Sequence, residues 1–226
     1  MDQVRVVVLD AMGVLYRDGN VQGRVLVPYL RERGCQAPEQ DIRAAYRDVT
    51  LGRTSTAAFW AALGAAAATD EDYCLRHTLT GGVREALAEL AGDGLEGGGL
   101  ELACLSNDAA AWSALVRRRF GLERHIGRWF ISSELGARKP DPAAYRAVPA
   151  ALSVPPAQVV LVDDRPANLA PARALGMRTI LFHSDDTAAH PDGGAAPEQE
   201  VRTMPELVAA VRRMAENRSK RSGAAD

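Results

Sequence analysis

Polar side chains that could bind or react with a ligand follow three apolar runs of the sequence. They are Asp10 after Val4–Leu9, Ser106 and Asn107 after Leu100–Leu105, and Asp163 and Asp164 after Gln158–Val162. Short apolar runs, the first of them mostly β-branched, are typical of buried strands in a parallel sheet. Because ligands bind at the carboxyl ends of the strands in such sheets, the sequence predicts that these side chains meet in one crevice.

The acidic positions, Asp10 and Asp163-Asp164, would concentrate negative charge in that crevice. Such crowding is costly unless a cation neutralises it. Carboxylates without accompanying His or Cys favour a hard ion such as Mg²⁺, which typically binds one or two of them plus water. The alternative is that the acids cap the following helices, since Asp is a common N-cap residue. That alternative is stronger for Asp164, close to Pro166, than for Asp10.

Lys139 lies in a loop just before a helix that is expected to begin near Pro142. A lysine at such a position can place a positive charge on a phosphate. Ser106 and Asn107 could bind an oxyanion through a hydroxyl and a backbone N–H, or could cap the next helix. Each of these signals is weak alone, so the argument depends on their order along the chain.

Strands and helices alternate in the part of the sequence that must position these residues. The expected strands are the three runs above together with Trp129–Ile131 and Thr179–Phe182, and the expected helices are Val83–Leu90, Ala109–Phe120, Asp141–Leu152, Pro166–Leu175 and Met204–Met214. This alternation predicts an α/β fold with a doubly wound, Rossmann-like parallel sheet. Residues 184–199 are expected to form a polar loop, and 215–226 a flexible tail.

No strand is recognisable between the first run and Gly82, where the pattern predicts four helical pieces. These are Val25–Leu30, Pro38–Leu51, Ser55–Leu63 and Asp70–Leu79. The sequence thus predicts an α/β core of residues 1–16 and 82–214 with a small all-helical insert, residues 17–81. Phe59 and Trp60 are expected to pack inside this insert. Glycines near 17–23 and 80–82 are expected to act as hinges.

The composition limits the classes of partner. The 226 residues are 47% hydrophobic and 25% charged, as in ordinary globular proteins, and the net charge of −2 gives no sign of nucleic-acid binding. No apolar run approaches the ~18 residues that span a bilayer. Three widely spaced cysteines without a C-x-x-C pair indicate a reduced, cytoplasmic protein. We therefore expect a monomer or homodimer with a small-molecule substrate and no nucleic-acid or membrane partner.

In this order, the polar groups resemble the four motifs of the haloacid dehalogenase-like (HAD) superfamily. The matching segments are Leu9-Asp-Ala-Met-Gly-Val-Leu15, Leu105-Ser-Asn107, Lys139-Pro140 and Val162-Asp-Asp-Arg-Pro-Ala-Asn168. The helical insert is similar to the small cap of that superfamily, which closes over the site and selects the substrate. The resemblance implies a Mg²⁺-dependent hydrolase.

The resemblance also implies roles for the acidic residues. Asp10 would attack a phosphoryl group and form an aspartyl-phosphate, which water would then hydrolyse. Mg²⁺ would bind the side chains of Asp10 and Asp163 and the backbone carbonyl of Met12. Asp164 would hold a metal-bound water or orient its neighbours.

The remaining motif residues would bind the substrate or support the site. Ser106, Asn107 and Lys139 would hold the phosphoryl oxygens, with Lys139 also neutralising the nucleophile. Asn168 would fix the last motif loop, and Arg53 from the cap is a further candidate for substrate contact. Arg17 and Tyr16 could reach a substrate from the hinge.

Met12 departs from the superfamily pattern. Most phosphatases of the superfamily carry a second Asp here, which protonates the leaving oxygen and later activates water. General acid–base help of this kind is typically worth ~10²–10⁴ in rate. The first interpretation is phosphoryl transfer from a small phosphorylated metabolite that has a good leaving group or carries its own acid.

Two other interpretations remain open. One is a dehalogenase-like hydrolase acting on carbon, because halide departs without a proton, although such enzymes lack Mg²⁺. The other is a catalytically weak or inactive binding module. A phosphonatase would need a cap lysine, and residues 17–81 contain none. The joint presence of Asp10, Ser106, Lys139, Asp163 and Asp164 favours the enzyme.

Overall fold

Six strands form a fully parallel sheet in the computed structural model, which describes residues 3–65, 67–92, 99–185, 187 and 196–216. The strands are β1 (Val6–Leu9), β2 (Glu101–Ser106), β3 (Arg128–Ile131), β4 (Val159–Asp163), β5 (Arg178–Phe182) and β6 (Gln199–Val201). Their order is β3-β2-β1-β4-β5-β6, with every neighbouring pair parallel. The strand order reverses between β1 and β4, so the predicted doubly wound α/β fold is confirmed.

Helices surround this sheet and form the insert after β1. In the insert, a short π-helical turn (Gln22–Leu26) leads into α1 (Val27–Glu32), α2 (Glu39–Val49), α3 (Thr56–Ala62) and α4 (Asp70–Cys74). Around the sheet lie α5 (Val83–Ala91), α6 (Ala110–Phe120), α7 (Ser132–Leu135), α8 (Pro142–Leu152), α9 (Pro166–Ala174) and α10 (Met204–Glu216). Two short 3₁₀ turns, Leu122–Arg124 and Pro156–Gln158, precede β3 and β4. The expected all-helical cap is therefore present.

The central strands bring the polar residues to one edge of the sheet. Every side chain of β1 and β4 is buried, which explains their uninterrupted apolar sequences. In the register of these strands, Leu9 lies beside Val162 and also beside Cys104 of β2. The residues that follow must therefore emerge together, and the backbone N–H of Asp10 donates to the Val162 carbonyl at 2.9 Å.

Three details of the predicted elements were wrong. The helix expected over Asp70–Leu79 ends at Cys74, because the chain then returns to the core and Leu79 forms an antiparallel bridge with Tyr16. The polar loop expected over 184–199 runs into β6, whose three residues are too few to show a strand pattern. The sequence also contained no sign of the four-residue helix α7.

Most of the predicted loop 184–199 and residues 217–226 of the expected tail lie outside the described residues, while 215 and 216 belong to α10.

Aromatic side chains join the cap to the core. Phe59 and Trp60 are buried as predicted, and both rings pack against Trp112 of α6, with centroids 5.4 Å away in each case. One oxygen of Asp70, at the start of α4, accepts hydrogen bonds from the indole N–H groups of Trp60 and Trp112, each at 2.7 Å. The carboxylate thus links a cap helix to a core helix.

His77 is a buried histidine on the part of the chain that returns from α4 to the core. It is buried against the rings of Tyr16 and Tyr73, and neither ring nitrogen has a hydrogen-bond partner among the described residues. Burial lowers its pKa to about 4. Because an unfolded histidine titrates near ~6.5, the unfolded state binds more protons between these two values. Stability therefore falls as pH decreases through that window.

We expect the free energy of unfolding to drop by about 2 kcal/mol between pH 7 and pH 5 because of this residue. Urea unfolding of the wild type and of His77→Phe at both pH values measures the contribution. The variant should lose clearly less stability at pH 5 than the wild type does. An equal loss in both proteins would assign the acid sensitivity to other groups.

Candidate active site

Lys139 lies between two buried carboxylates at the carboxyl edge of the sheet. Its Nζ is 2.9 Å from Asp10 Oδ1 and 2.6 Å from Asp163 Oδ2. Burial alone would lower the pKa of Lys139, but the charges of Asp10 and Asp163 outweigh it and hold that pKa above its usual range. The ammonium group therefore stays charged and supports both acids.

Negative charge nevertheless exceeds positive charge at this point. Oxygens of Asp10, Asp163 and Asp164 all lie within 4.8 Å of one another, and all three residues are buried. Burial and the nearby charge of Asp163 raise the pKa of Asp10 well above its usual range, against the opposing effect of Lys139. The same two causes raise the pKa of Asp164 to about 6. Three neighbouring carboxylates, of which only Asp10 and Asp163 contact the ammonium of Lys139, need a further cation to be fully ionised.

The donor set fits a hard divalent cation. All three candidate side chains offer oxygen, and Asp164 Oδ1 is buried without a hydrogen-bond partner among the described residues. The other oxygen of Asp164 accepts from the Ser184 hydroxyl at 2.9 Å. Oxygen-only sets of this kind suit Mg²⁺ or Ca²⁺ better than zinc or copper.

Gly13 allows the loop after Asp10 to approach this cluster. Its φ is +79°, and a Cβ there would lie 2.1 Å from Asp164 Oδ2. A side chain at this position would therefore be excluded both by its backbone conformation and by the carboxylate. Met12, just before it, is 9% exposed, lines the cavity beside Asp10 and forms a bridge with Tyr16.

Ser106 ends β2 next to this cluster and Asn107 follows it, but the two differ in their hydrogen bonds. Ser106 Oγ is buried and has no partner within the described residues, so its hydroxyl can serve a ligand. The Asn107 amide is already used, since it donates to the Lys139 carbonyl at 2.9 Å and accepts from the Lys139 N–H at 2.8 Å. The Asn107 side chain therefore holds the lysine loop, and the predicted binding of a phosphate through the backbone N–H stays a prediction. Neither residue caps α6, whose N-cap is Ala109.

Asn168 fixes the loop after β4, as the resemblance implied. Its Nδ2 donates to both oxygens of Asp163, at 2.9 and 3.1 Å, and the Arg165 N–H donates to one of them at 2.9 Å. The N-cap position of α9 is occupied by Arg165 and shows no side-chain cap. The alternative that Asp164 caps this helix is therefore wrong.

A cavity of about 410 Å³ opens beside Asp10, between the core and the cap. Its lining includes the predicted residues Asp10, Met12, Ser106, Asn107, Lys139 and Asn168, and also Tyr46, Arg138, Arg165 and the segment 19–22. The sequence did not predict that Tyr46, Arg138, Arg165 and the segment 19–22 would line it. Arg138 could have been suspected as the neighbour of Lys139, whereas Tyr46 carries no signal beyond its place on the buried face of α2.

A family model described as a haloacid dehalogenase-like hydrolase matches residues 4–176, a range that includes all four motifs. The chain belongs to this family. The superfamily predicted from the sequence is therefore confirmed.

Curated relatives match this HAD-like hydrolase over part of their length. The chloroplast flavin mononucleotide hydrolase 1 of Arabidopsis thaliana is 30% identical over 118 residues, which are 51% of this chain and 46% of the relative. The matched regions span less than half of the curated relatives' own lengths.

Solved structures share the fold over most of the chain. A HAD family enzyme from Bacteroides thetaiotaomicron has a TM-score of 0.68 at 17% identity, covering 81% of this chain and 96% of its own. A magnesium complex of that enzyme has also been solved. The L-2-haloacid dehalogenase of Xanthobacter autotrophicus has a TM-score of 0.63 at 22% identity, covering 92% of this chain and 98% of its own. These likenesses carry the fold alone.

Three side chains of the HAD-like hydrolase that were expected to reach a substrate lie elsewhere. Arg53 pairs with Asp48 at 2.9 Å, is 65% exposed and does not line the cavity. Tyr16 is buried against Phe120 and also does not line the cavity. Arg17 is exposed and outside the lining as well. Within the described residues, no helix is both long and apolar enough to cross a bilayer.

Proposed function

We propose that the protein transfers a phosphoryl group from a small phosphorylated metabolite to Asp10 and then hydrolyses the aspartyl-phosphate. The observation that carries this proposal is the group of three buried carboxylates within 4.8 Å of one another, of which Asp10 and Asp163 share Lys139. Such a group suits a phosphate that arrives together with a divalent cation. The cap, residues 17–81, would select the substrate, and we place the protein in the cytoplasm.

Each residue of the site has a defined part in this reaction. Asp10 supplies the attacking oxygen, and Lys139 neutralises its charge and contacts the phosphoryl oxygens. The free hydroxyl of Ser106 donates to one of those oxygens. The side chain of Asn107 holds the backbone of Lys139, and the side chain of Asn168 holds the carboxylate of Asp163.

The metal in this proposal is Mg²⁺, held by the side chains of Asp10, Asp163 and Asp164 and by the backbone carbonyl of Met12. When bound, it supplies positive charge that stabilises the phosphoryl oxygens. The magnesium complex of the Bacteroides thetaiotaomicron enzyme supports this choice of ion.

A second candidate is hydrolysis of a carbon–halogen bond. Met12 is compatible with it, because a halide leaves without a proton, and the Xanthobacter autotrophicus dehalogenase shares the fold over 92% of this chain. The buried Asp163-Asp164 pair beside Asp10 favours phosphoryl transfer, since displacement of a halide needs no divalent cation.

Incubation of the full chain with Mg²⁺ and 4-nitrophenyl phosphate tests the proposal. We expect a phosphoryl adduct on Asp10 by peptide mass mapping and release of 4-nitrophenol, both abolished in Asp10→Asn and by chelation of the metal. Arg53→Gln, an exposed cap variant, should behave as the wild type. If a panel of phosphates leaves Asp10 unmodified while 2-chloropropionate is dehalogenated without metal, the carbon-centred reaction replaces the proposal.

A further inference from the structure

The cavity contains charged groups that phosphoryl transfer to Asp10 does not use. Resting on that proposed function, we propose that the substrate carries its phosphoryl group on an oxygen that leaves as a stable anion, and that Arg138 and Arg165 bind this anion. Acyl phosphates and phosphoanhydrides share this chemistry. Ordinary alkyl phosphates fall outside this class of substrate.

Among the described residues, no side chain that lines the cavity is suited to protonate a leaving oxygen at neutral pH. The titratable side chains of the lining are Asp10, Tyr46, Arg138, Lys139 and Arg165. Asp10 is the attacking group, and Lys139 is held by two carboxylates. Burial raises the pKa of Tyr46 above its usual range, which makes its hydroxyl a poor acid. An alkoxide would therefore have to leave without a proton, which is unfavourable.

Arg138 and Arg165 bring positive charge to the same cavity without a carboxylate at ion-pair distance in the part of the chain that the structure describes. Arg138 is half-buried, and its guanidinium donates to the hydroxyl of Thr50 at 2.5 Å. Arg165 donates to the Gly19 carbonyl at 3.2 Å. Lys139 differs from both, because its charge is already matched by Asp10 and Asp163.

The two guanidinium groups lie on the cap side of the cavity. Both partners belong to the cap: Thr50 is at the end of α2, and Gly19 lies in the cap segment that precedes its first helical turn. Since the phosphoryl group must contact Asp10 at the core side, the leaving group extends toward Arg138 and Arg165. Guanidinium groups match carboxylate and phosphate oxygens with paired hydrogen bonds, so they suit a leaving group that becomes one of these anions.

The chemical step then needs no proton donor. An oxygen of Asp10 forms a bond to phosphorus while the bond from phosphorus to the leaving oxygen breaks. The electron pair stays on that oxygen, which departs as a carboxylate or phosphate beside the guanidinium groups. Water later attacks the phosphorus, the bond to Asp10 breaks, and the released phosphate takes the proton from water.

A substrate panel tests this inference on the full chain with Mg²⁺. Acetyl phosphate and pyrophosphate represent the two sources of a stable leaving anion, and phosphoserine and glucose 6-phosphate represent alkyl phosphates. We expect kcat/KM to be roughly 10²-fold or more higher for at least one of the first pair than for the alkyl phosphates. Arg138→Gln should lower that kcat/KM by roughly 10- to 100-fold, the effect of one charge-assisted hydrogen bond. Arg53→Gln is the matched surface control and should have no effect.

Labelling of Asp10 by 4-nitrophenyl phosphate, measured on the same preparations, separates this inference from the proposed function. Labelled Asp10 with equal kcat/KM for alkyl phosphates and acetyl phosphate overturns the leaving-group inference alone. Absence of label and of turnover with every phosphate overturns both. Arg165→Gln provides a second variant if Arg138→Gln does not fold, and wild-type kcat/KM in the variant that folds would overturn the role of the guanidinium groups.

Discussion

Replacement of Met12 by Asp is expected to raise the turnover of alkyl phosphates by about 10²–10⁴-fold. Met12 lines the cavity beside Asp10, two residues along the chain from it. A carboxylate at this position can protonate the leaving oxygen and then take a proton from the water that attacks the aspartyl-phosphate. The smaller side chain of Asp fits where Met lies, and the bridge between residues 12 and 16 involves the backbone.

Met12→Asn is the matched control, because it has nearly the same shape as Asp but cannot exchange a proton. We expect kcat/KM of Met12→Asp for phosphoserine to rise and to depend on pH through the protonation of the new carboxyl group. Met12→Asn should show neither the higher kcat/KM nor this pH dependence. With acetyl phosphate, Met12→Asp should mainly shorten the lifetime of phosphorylated Asp10, since the first step needs no acid. Equal rates in the Asp and Asn variants would show that proton transfer is not what limits this enzyme.

The residues that follow buried strands could be predicted from the sequence. Asp10 follows one strand and Asp163 ends the neighbouring parallel strand. Recognising these two strands in the sequence was therefore sufficient to place both carboxylates at the same edge of the sheet. The contact of Lys139 with Asp10 was also implied by the resemblance of its motif to a known superfamily, whereas its contact with Asp163 was not predicted. The positions of these carboxylates can be predicted because the carboxyl ends of the strands in a parallel sheet have a fixed geometry.

Residues brought to the cavity by long-range packing could not be predicted in this way. Tyr46 lies on a cap helix and reaches the cavity only because the cap packs on the core through Trp112. Arg53 was expected there instead, yet it is 65% exposed and pairs with Asp48. Tyr46 lies within α2 whereas Arg53 lies beyond its end, and the sequence alone does not specify how the cap is oriented on the core. The roles of the site residues and the hinges at 17–23 and 80–82 stay predictions.

The sequence also did not reveal which polar groups are already engaged. The side-chain amide of Asn107 binds the backbone of Lys139 with both its nitrogen and its oxygen, so only its backbone N–H is left to meet the predicted phosphate. Ser106, next to it, keeps a free hydroxyl among the described residues. Adjacent residues at a strand end point in different directions, so the Asn107 side chain holds the lysine loop while the Ser106 hydroxyl, beside the cavity, is left unbonded within the part of the chain that the structure describes.

Replacement of Lys139 by Met should destabilise the metal-free protein by about 3–5 kcal/mol at neutral pH, the usual result of breaking a buried ion pair. The ammonium group is the shared partner of Asp10 and Asp163, at 2.9 and 2.6 Å. Met preserves the length and apolar stem of the side chain, so the loss isolates the charge. Activity should be lost as well, because the same ammonium contacts the phosphoryl oxygens in the proposed reaction.

The loss of stability should depend on pH and on Mg²⁺. The pKa of Asp10 is already raised by burial and by Asp163, and without Lys139 it would rise further. A folded-state pKa above the unfolded value means that the folded state holds the proton longer, so stability falls as pH increases. Urea unfolding of Lys139→Met should therefore show a larger deficit at pH 8 than at pH 5.

Added Mg²⁺ should recover part of this deficit by binding the folded state. The exposed variant Arg146→Met, which also removes one positive charge, should show neither the deficit nor the recovery. A deficit in Lys139→Met that is unaffected by pH and by Mg²⁺ would mean that the charge of Lys139 does not stabilise the folded protein through ionised carboxylates. The three carboxylates would then have to be neutral in the folded protein, and they could not form the cation site on which phosphoryl transfer to Asp10 depends.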